Sequence, residues 1–154
     1  MGIPVVDLFA GGGGVFAGCE ALGLDTVAAV EWDASACATL RAAGCREVIE
    51  GDLREVSWAA WLATEAGWRW KASPTRLLWA SPPCQDFSTA GKMKGPAGSR
   101  NGFPWTWDAL DALANLEAGA THIVLENVPG LLQHNKKAGC AGGKHPKPTA
   151  CPRC

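Results

Sequence analysis

Polarity along this chain comes in blocks of two kinds. Short runs rich in apolar and β-branched residues occupy positions 3–9, 26–30, 47–50, 77–80 and 122–125. Each gives way within a residue or two to glycine, proline or an acid. Between them, at 15–22, 34–43, 55–66 and 105–118, apolar side chains recur three or four positions apart. The first pattern reads as strands covered on both faces, the second as helices with one buried stripe. Gly23 and Gly44 stand where the first two helices would end, and Asp33 or Ser35 where the second begins. Trp58, Trp61 and Leu62 fall on one face of the third helix, with the tryptophans expected in the core, and Leu110, Leu113 and Leu116 supply the apolar face of the fourth. Residues 67–75, with Trp68 and Trp70, show neither pattern and are expected to form a connection. Strands alternating with helices in this way predict an α/β fold, a doubly wound, mostly parallel sheet.

In such a sheet ligands bind outside the carboxyl ends of the strands, so the residues just beyond each run matter most. After the first comes Ala10-Gly11-Gly12-Gly13-Gly14, between strand and helix, where a ligand can approach backbone closely. After the second comes Glu31-Trp32-Asp33, with the Glu31 carboxylate in register to accept from ribose hydroxyls and Asp33 placed to cap a helix. After the third comes Gly51-Asp52-Leu53, where Asp52 either meets an amine or caps the next helix. The fourth run ends at Ser81-Pro82-Pro83-Cys84-Gln85-Asp86-Phe87-Ser88. Proline cannot extend the ladder and restricts its predecessor, so Cys84 sits on a stiff turn at a strand end, a candidate nucleophile or an inert core thiol. Next is a glycine-rich loop at 89–104, carrying Lys92, Lys94 and Arg100, and a loop of that length is usually functional or disordered. The fifth run leads from His122, read as structural, into Glu126-Asn127-Val128.

Composition narrows the class. At 154 residues with 47% hydrophobic and 19% charged residues, the chain has material for one core. It has no apolar run of membrane-spanning length and no basic-then-apolar leader. Its seven cysteines, an odd number scattered through an α/β pattern, suggest a reducing cytoplasm and no disulfide scaffold. The net charge of −1 hides an asymmetry: acids dominate residues 1–60, whereas bases outnumber acids beyond. From His134 onward there are five bases and no acid, which suits a phosphate backbone or simply a solvated tail.

Taken in order, Asp7-Leu8-Phe9-Ala10-Gly11-Gly12-Gly13-Gly14, Glu31-Trp32-Asp33, Gly51-Asp52-Leu53, Pro83-Cys84-Gln85 and Glu126-Asn127-Val128 resemble the catalytic half of the S-adenosylmethionine-dependent cytosine-C5 methyltransferases. Residues 88–95 look like that family's catalytic loop, and the resemblance spans about residues 3–132. It implies a class I methyltransferase, Rossmann-like fold and transfer of methyl to C5 of a cytosine flipped out of duplex DNA. Cys84 would add to C6, with Glu126, Gln85 and Asn127 as the remaining catalytic residues. Glu126 would hold N3 and the exocyclic amine, with a carboxyl pKa raised by burial. The cofactor would lie against Asp7, Phe9, Ala10, Gly11, Gly12, Gly13, Gly14, Leu53 and Pro83. Glu31 would take the ribose, Trp32 would stack on adenine and Asp52 would accept from the adenine amine. Ser88, Lys92, Lys94 and Arg100 would meet nucleic acid.

The family's later elements, a Gln-Arg-rich strand and a target-recognition region, are not found after Leu132. The fold is therefore expected to be truncated after the fifth strand, with a partial cofactor-binding catalytic domain over 1–133 and a second chain as a candidate for the recognition half. Residues 134–154 form a basic tail in which Cys140, His145, Cys151 and Cys154 are candidate zinc ligands, as half a ribbon or the start of an insertion. The resemblance points to bacterial or phage restriction–modification in a cytoplasm. Two other readings stay open: a tRNA cytosine-C5 methyltransferase, and a cofactor-binding fragment or subunit without activity of its own.

Overall fold

The computed structural model describes residues 2–85 and 102–131. Contacts divide the chain into two compact units, Met1–Pro82 with Gly102–Glu126, and Pro83–Asn101 with Asn127–Cys154. All ten elements named below belong to the first.

That unit runs β1 (Pro4–Leu8), α1 (Gly14–Leu22), β2 (Asp25–Glu31), α2 (Ala34–Ala42), β3 (Val48–Glu50), α3 (Trp58–Leu62), α4 (Glu65–Ala72), β4 (Leu77–Ala80), α5 (Phe103–Asn115) and β5 (His122–Leu125). The strands form one sheet in the order β3-β2-β1-β4-β5, with every pairing parallel. The chain works outward from β1 to one edge and then returns to build the other, so the switch point lies between β1 and β4. β1 is central and buried at all five positions, which explains its unbroken apolar run.

The two faces of the sheet carry separate cores. On one, Val6, Leu8 and Leu78 pack with Trp58, Trp61, Trp70, Leu110 and Leu113. On the other, Ala10 and Ala29 pack with Phe16, Leu40 and Cys45. This is the doubly wound arrangement that the alternating pattern predicts. The edge strand β5 is more open, with Ile123 and Leu125 exposed. No helix among the described residues is long and apolar enough to cross a membrane.

One expected helix is two. The segment read as a single helix over 55–66 begins on the last residue of a 3-10 turn at Leu53–Glu55 and holds α3, and α4 continues through the region expected to be a connection. Local caps break it. Ser57 Oγ accepts from Ala60 N–H at 3.3 Å to start α3, and Thr64 Oγ1 from Gly67 N–H at 3.2 Å to start α4. Trp58 and Trp61 are buried as expected, but the largest core side chain is Trp70, whose indole N–H donates to Ala118 O at 2.7 Å.

The α3–α4 corner leaves no room for a methyl group. A Cβ on Gly67 would fall inside contact distance of the Trp61 carbonyl oxygen and the Leu62 Cα, both backbone atoms that cannot swing aside. Gly67→Ala is expected to destabilise the protein by about 1–3 kcal/mol, the usual range for overpacking. Urea unfolding measures it, and an unchanged midpoint would show that the corner relaxes freely.

Candidate functional site

At the end of β1 the backbone turns sharply. Phe9 has φ 62, a left-handed conformation that costs a bulky residue about 1–2 kcal/mol. Such strain persists where the surroundings hold it. Ala10 N–H donates to Val30 O at 3.1 Å, and Gly11, with φ 54, donates its N–H to Glu31 Oε2 at 2.7 Å. Gly13 then caps α1 with φ 95, and a Cβ there would lie 2.9 Å from Leu40 Cδ2. Backbone conformation and close packing thus demand glycine at this position, while Gly12 and Gly14 face outward.

Glu31, at the end of β2, is nearly buried and already engaged. Besides Gly11, its Oε1 accepts from Trp32 N–H and Asp33 N–H, each at 2.9 Å. The carboxylate expected to meet ribose is therefore also the clamp that ties the glycine turn to the β2–α2 turn. Oε2 accepts only the Gly11 amide among these bonds, so one acceptor position on it can still serve a hydroxyl. Trp32 beside it presents a ring that is 77% exposed, an open face for stacking. Asp33 caps α2, accepting from Ala36 N–H at 2.8 Å.

Asp52 stands just after β3 and takes the capping role, one of the two its position suggested. It caps the 3-10 turn through Arg54 N–H at 2.9 Å, and it accepts from the Arg54 guanidinium at 2.9 Å on Oδ1 and 2.5 Å on Oδ2. These hydrogen bonds hold its carboxyl down at about 2. The guanidinium also lies 4.8 Å from the centroid of the Trp105 ring, which packs against Phe9 at 6.5 Å. Neither Arg54 nor Trp105 is singled out by the sequence, because a partner 51 positions away carries no local signal.

Two of the residues expected to meet the cofactor are buried: Asp7 has no exposed surface at all, and Leu53 packs in the core. Burial pushes the Asp7 carboxyl up to about 7, with the Glu31 charge adding to it, and neither Asp7 oxygen has a hydrogen-bond partner. Glu126 follows β5. Its N–H continues the ladder to Ala80 O at 2.9 Å, and the residue is exposed.

In the second unit, Pro83 and Cys84 are half-buried, the Cys84 thiol is free, and Asn127 Oδ1 accepts from Val128 N–H at 3.0 Å. Gln85 is exposed. Ser88, Lys92, Lys94, Arg100, Cys140, His145, Cys151 and Cys154 lie outside the described residues. Among the described residues no cluster of His, Cys, Asp or Glu could hold a metal ion.

The first unit thus places a strained aromatic, a glycine turn, two acceptor carboxylates and an exposed indole at the ends of three neighbouring strands. That donor and acceptor set fits an adenosyl group: a ring face to stack on, acceptors for hydroxyls and an amine, and backbone able to approach the remainder closely. A separate cavity of about 280 Å³, lined by Pro4, Asp25, Trp68 and Arg69, includes the amino-terminal residues of β1 and β2 and none of these groups.

The model of C-5 cytosine-specific DNA methylases matches residues 3–141. The Type II methyltransferase M.AquIA of Picosynechococcus is 37% identical over 136 residues, covering 86% of this chain and 51% of that protein. M.Eco47II of Escherichia coli is 35% identical over 132 residues, covering 85% of this chain and 28% of its own length. The chain therefore spans about half or less of these relatives. Among solved structures, the S. pombe Dnmt2 methyltransferase superposes with a TM-score of 0.60 at 18% identity, over 91% of this chain and 39% of that one, a likeness of fold.

Proposed function

The chain belongs to the C-5 cytosine-specific DNA methylase family, and from that premise we propose that it binds S-adenosylmethionine and takes part in methyl transfer to C5 of cytosine in DNA. Residues 1–133 are the cofactor-binding catalytic part. The observation that carries the reading is the adenosyl-shaped set at the ends of β1, β2 and β3, with the Cys84 and Glu126 motifs coming after β4 and β5 in the same chain. Those two strands are register neighbours, ending at Ala80 and Leu125.

S-adenosylmethionine, when bound, supplies an electrophilic methyl group on sulfonium. The protein's task is to make a poor nucleophile attack it. Cys84 adds as thiolate to C6 of the flipped cytosine, and the electron pair of the C5–C6 double bond becomes available at C5 for bond formation to methyl. Solvent then takes the C5 proton, and the pair of that C–H bond re-forms the C5–C6 double bond as the C6–sulfur bond breaks and Cys84 leaves as thiolate. Glu126 binds N3 and the exocyclic amine, placing a hydrogen-bonding group where charge develops as the thiolate adds. Since Glu126 is exposed here, the base itself is what would enclose the carboxyl. Gln85 and Asn127 help hold the nucleotide. Glu31 keeps its clamp on the glycine turn while accepting a ribose hydroxyl, and Trp32 covers adenine. Ser88, Lys92, Lys94 and Arg100 contact the nucleic acid.

The test is transfer of a labelled methyl group from S-adenosylmethionine to duplex DNA and, separately, to tRNA. Label on cytosine in DNA is the expected result. Label confined to tRNA would overturn the choice of substrate. Label on neither, with cofactor still bound, would mean that the chain needs a further polypeptide to act.

A further inference from the structure

Asp52, Arg54 and Trp105 form one connected cluster beyond the end of β3. An ion pair two residues apart on a surface is ordinarily worth little. This one is held from both sides: Arg54 grips both carboxylate oxygens of Asp52 and lies over Trp105, which itself rests on Phe9 at the strained end of β1. The bonds also divide the two oxygens. Oδ1 accepts from Arg54 N–H and from Nε, which uses both of its lone pairs, while Oδ2 accepts from Nη2. The open acceptor position is therefore confined to Oδ2, in a carboxylate that cannot rotate without breaking a two-pronged bond.

We propose that Arg54 is a positioning residue that fixes the Asp52 carboxylate as an acceptor-only reader of the 6-position of the cofactor's purine, selecting an amine over a carbonyl. This rests on the reading that Asp52 meets the adenine amine. A fixed, ionised carboxylate pairs with an N–H donor at that position and repels a carbonyl oxygen; a loose one can turn away and tolerate either. Lysine cannot replace the fork, because it offers a compact charge and no planar pair of donors.

The experiment compares calorimetric binding of S-adenosylhomocysteine and its 6-oxo analogue S-inosylhomocysteine to the full chain. The wild type is expected to prefer the adenosyl ligand by about tenfold to a hundredfold, the worth of a hydrogen bond to a charged group. Arg54→Met is expected to cut that ratio about tenfold, Arg54→Lys to fall between, and neither to shift the melting temperature much. Asp52→Asn, whose amide can donate to a carbonyl, is expected to erase the preference. If Arg54→Met weakens both ligands equally, its role is structural and the proposal fails. If Asp52→Asn erases the preference while Arg54→Met leaves it intact, the proposal fails and the underlying reading stands. If Asp52→Asn leaves the preference intact, or the wild type binds neither ligand, the underlying reading falls and takes the proposal with it.

Discussion

Replacing Cys84 with alanine is expected to lower methyl transfer to cytosine by about ten-thousandfold or more, with cofactor binding intact. The magnitude comes from the step it removes, since deleting a covalent nucleophile leaves only binding and positioning to accelerate the reaction. C5 of cytosine has no useful nucleophilicity until something adds at C6, and no other cysteine is placed to do so among the described residues: Cys19, Cys37 and Cys45 are all buried. Cys37 also donates its thiol to Glu31 O at 3.3 Å. Cys84→Ser should fare little better, because a serine hydroxyl without an adjacent base is a far weaker nucleophile than a thiolate. A second readout separates chemistry from binding. With an oligonucleotide bearing 5-fluorocytosine, addition can occur but fluorine cannot leave as a cation, so a covalent protein–DNA adduct should accumulate for wild type and not for Cys84→Ala. Methyl transfer surviving in the alanine variant would sink the covalent mechanism. Because S-adenosylhomocysteine binding should be unaffected, a variant that loses it as well would point instead to a damaged fold.

The sheet was readable in the sequence because parallel strands buried on both faces leave continuous apolar runs, as β1 does, and because glycine and acids mark where they end. The α3–α4 break was readable too, but in a different signal. The apolar spacing of Trp58, Trp61 and Leu62 argued for one helix, whereas Ser57 and Thr64 carried the caps that split it. Periodicity reports which face is buried, and capping reports where the backbone restarts. Within the candidate site, positions were legible and partners were not. Glu31 and Asp52 stand at strand ends in the sequence, but the amide of Gly11, 20 positions from Glu31, and the ring of Trp105 reach them only through the folded sheet. Burial at a strand end is equally hard to read from sequence: among the described residues β5 is the last strand of the sheet, and Glu126 after it is exposed.

The wild-type protein is expected to lose stability as pH rises from about 4 to about 7, and Asp7→Asn is expected not to show that loss. Asp7 lies in the middle of the central strand with no exposed surface and no partner for either oxygen. Burial, and after it the charge on Glu31, raise its carboxyl from 3.8 to about 7. A carboxyl with a higher pKa folded than unfolded binds more protons in the native state between those values. Its contribution is therefore fully retained below about 4, declines through the interval and is gone above about 7. Three pH units of difference correspond to about 4 kcal/mol, a large share of a domain's total stability. The same charge reaches the buried thiols of Cys19 and Cys45, which burial chiefly pushes up and ionised Asp7 pushes up further. Asparagine keeps the size and removes the titration, so the two proteins should be close in stability near pH 4 and diverge toward pH 8. If its new amide donors lack partners, the variant's whole curve is lowered by about 1–3 kcal/mol at every pH, and the divergence between the two curves is unchanged. Urea unfolding at several pH values reads the difference directly. Diverging curves would place a neutral acid within the central strand, ready to charge as pH rises. Parallel curves would show that Asp7 is ionised throughout and that the fold supplies it with a donor.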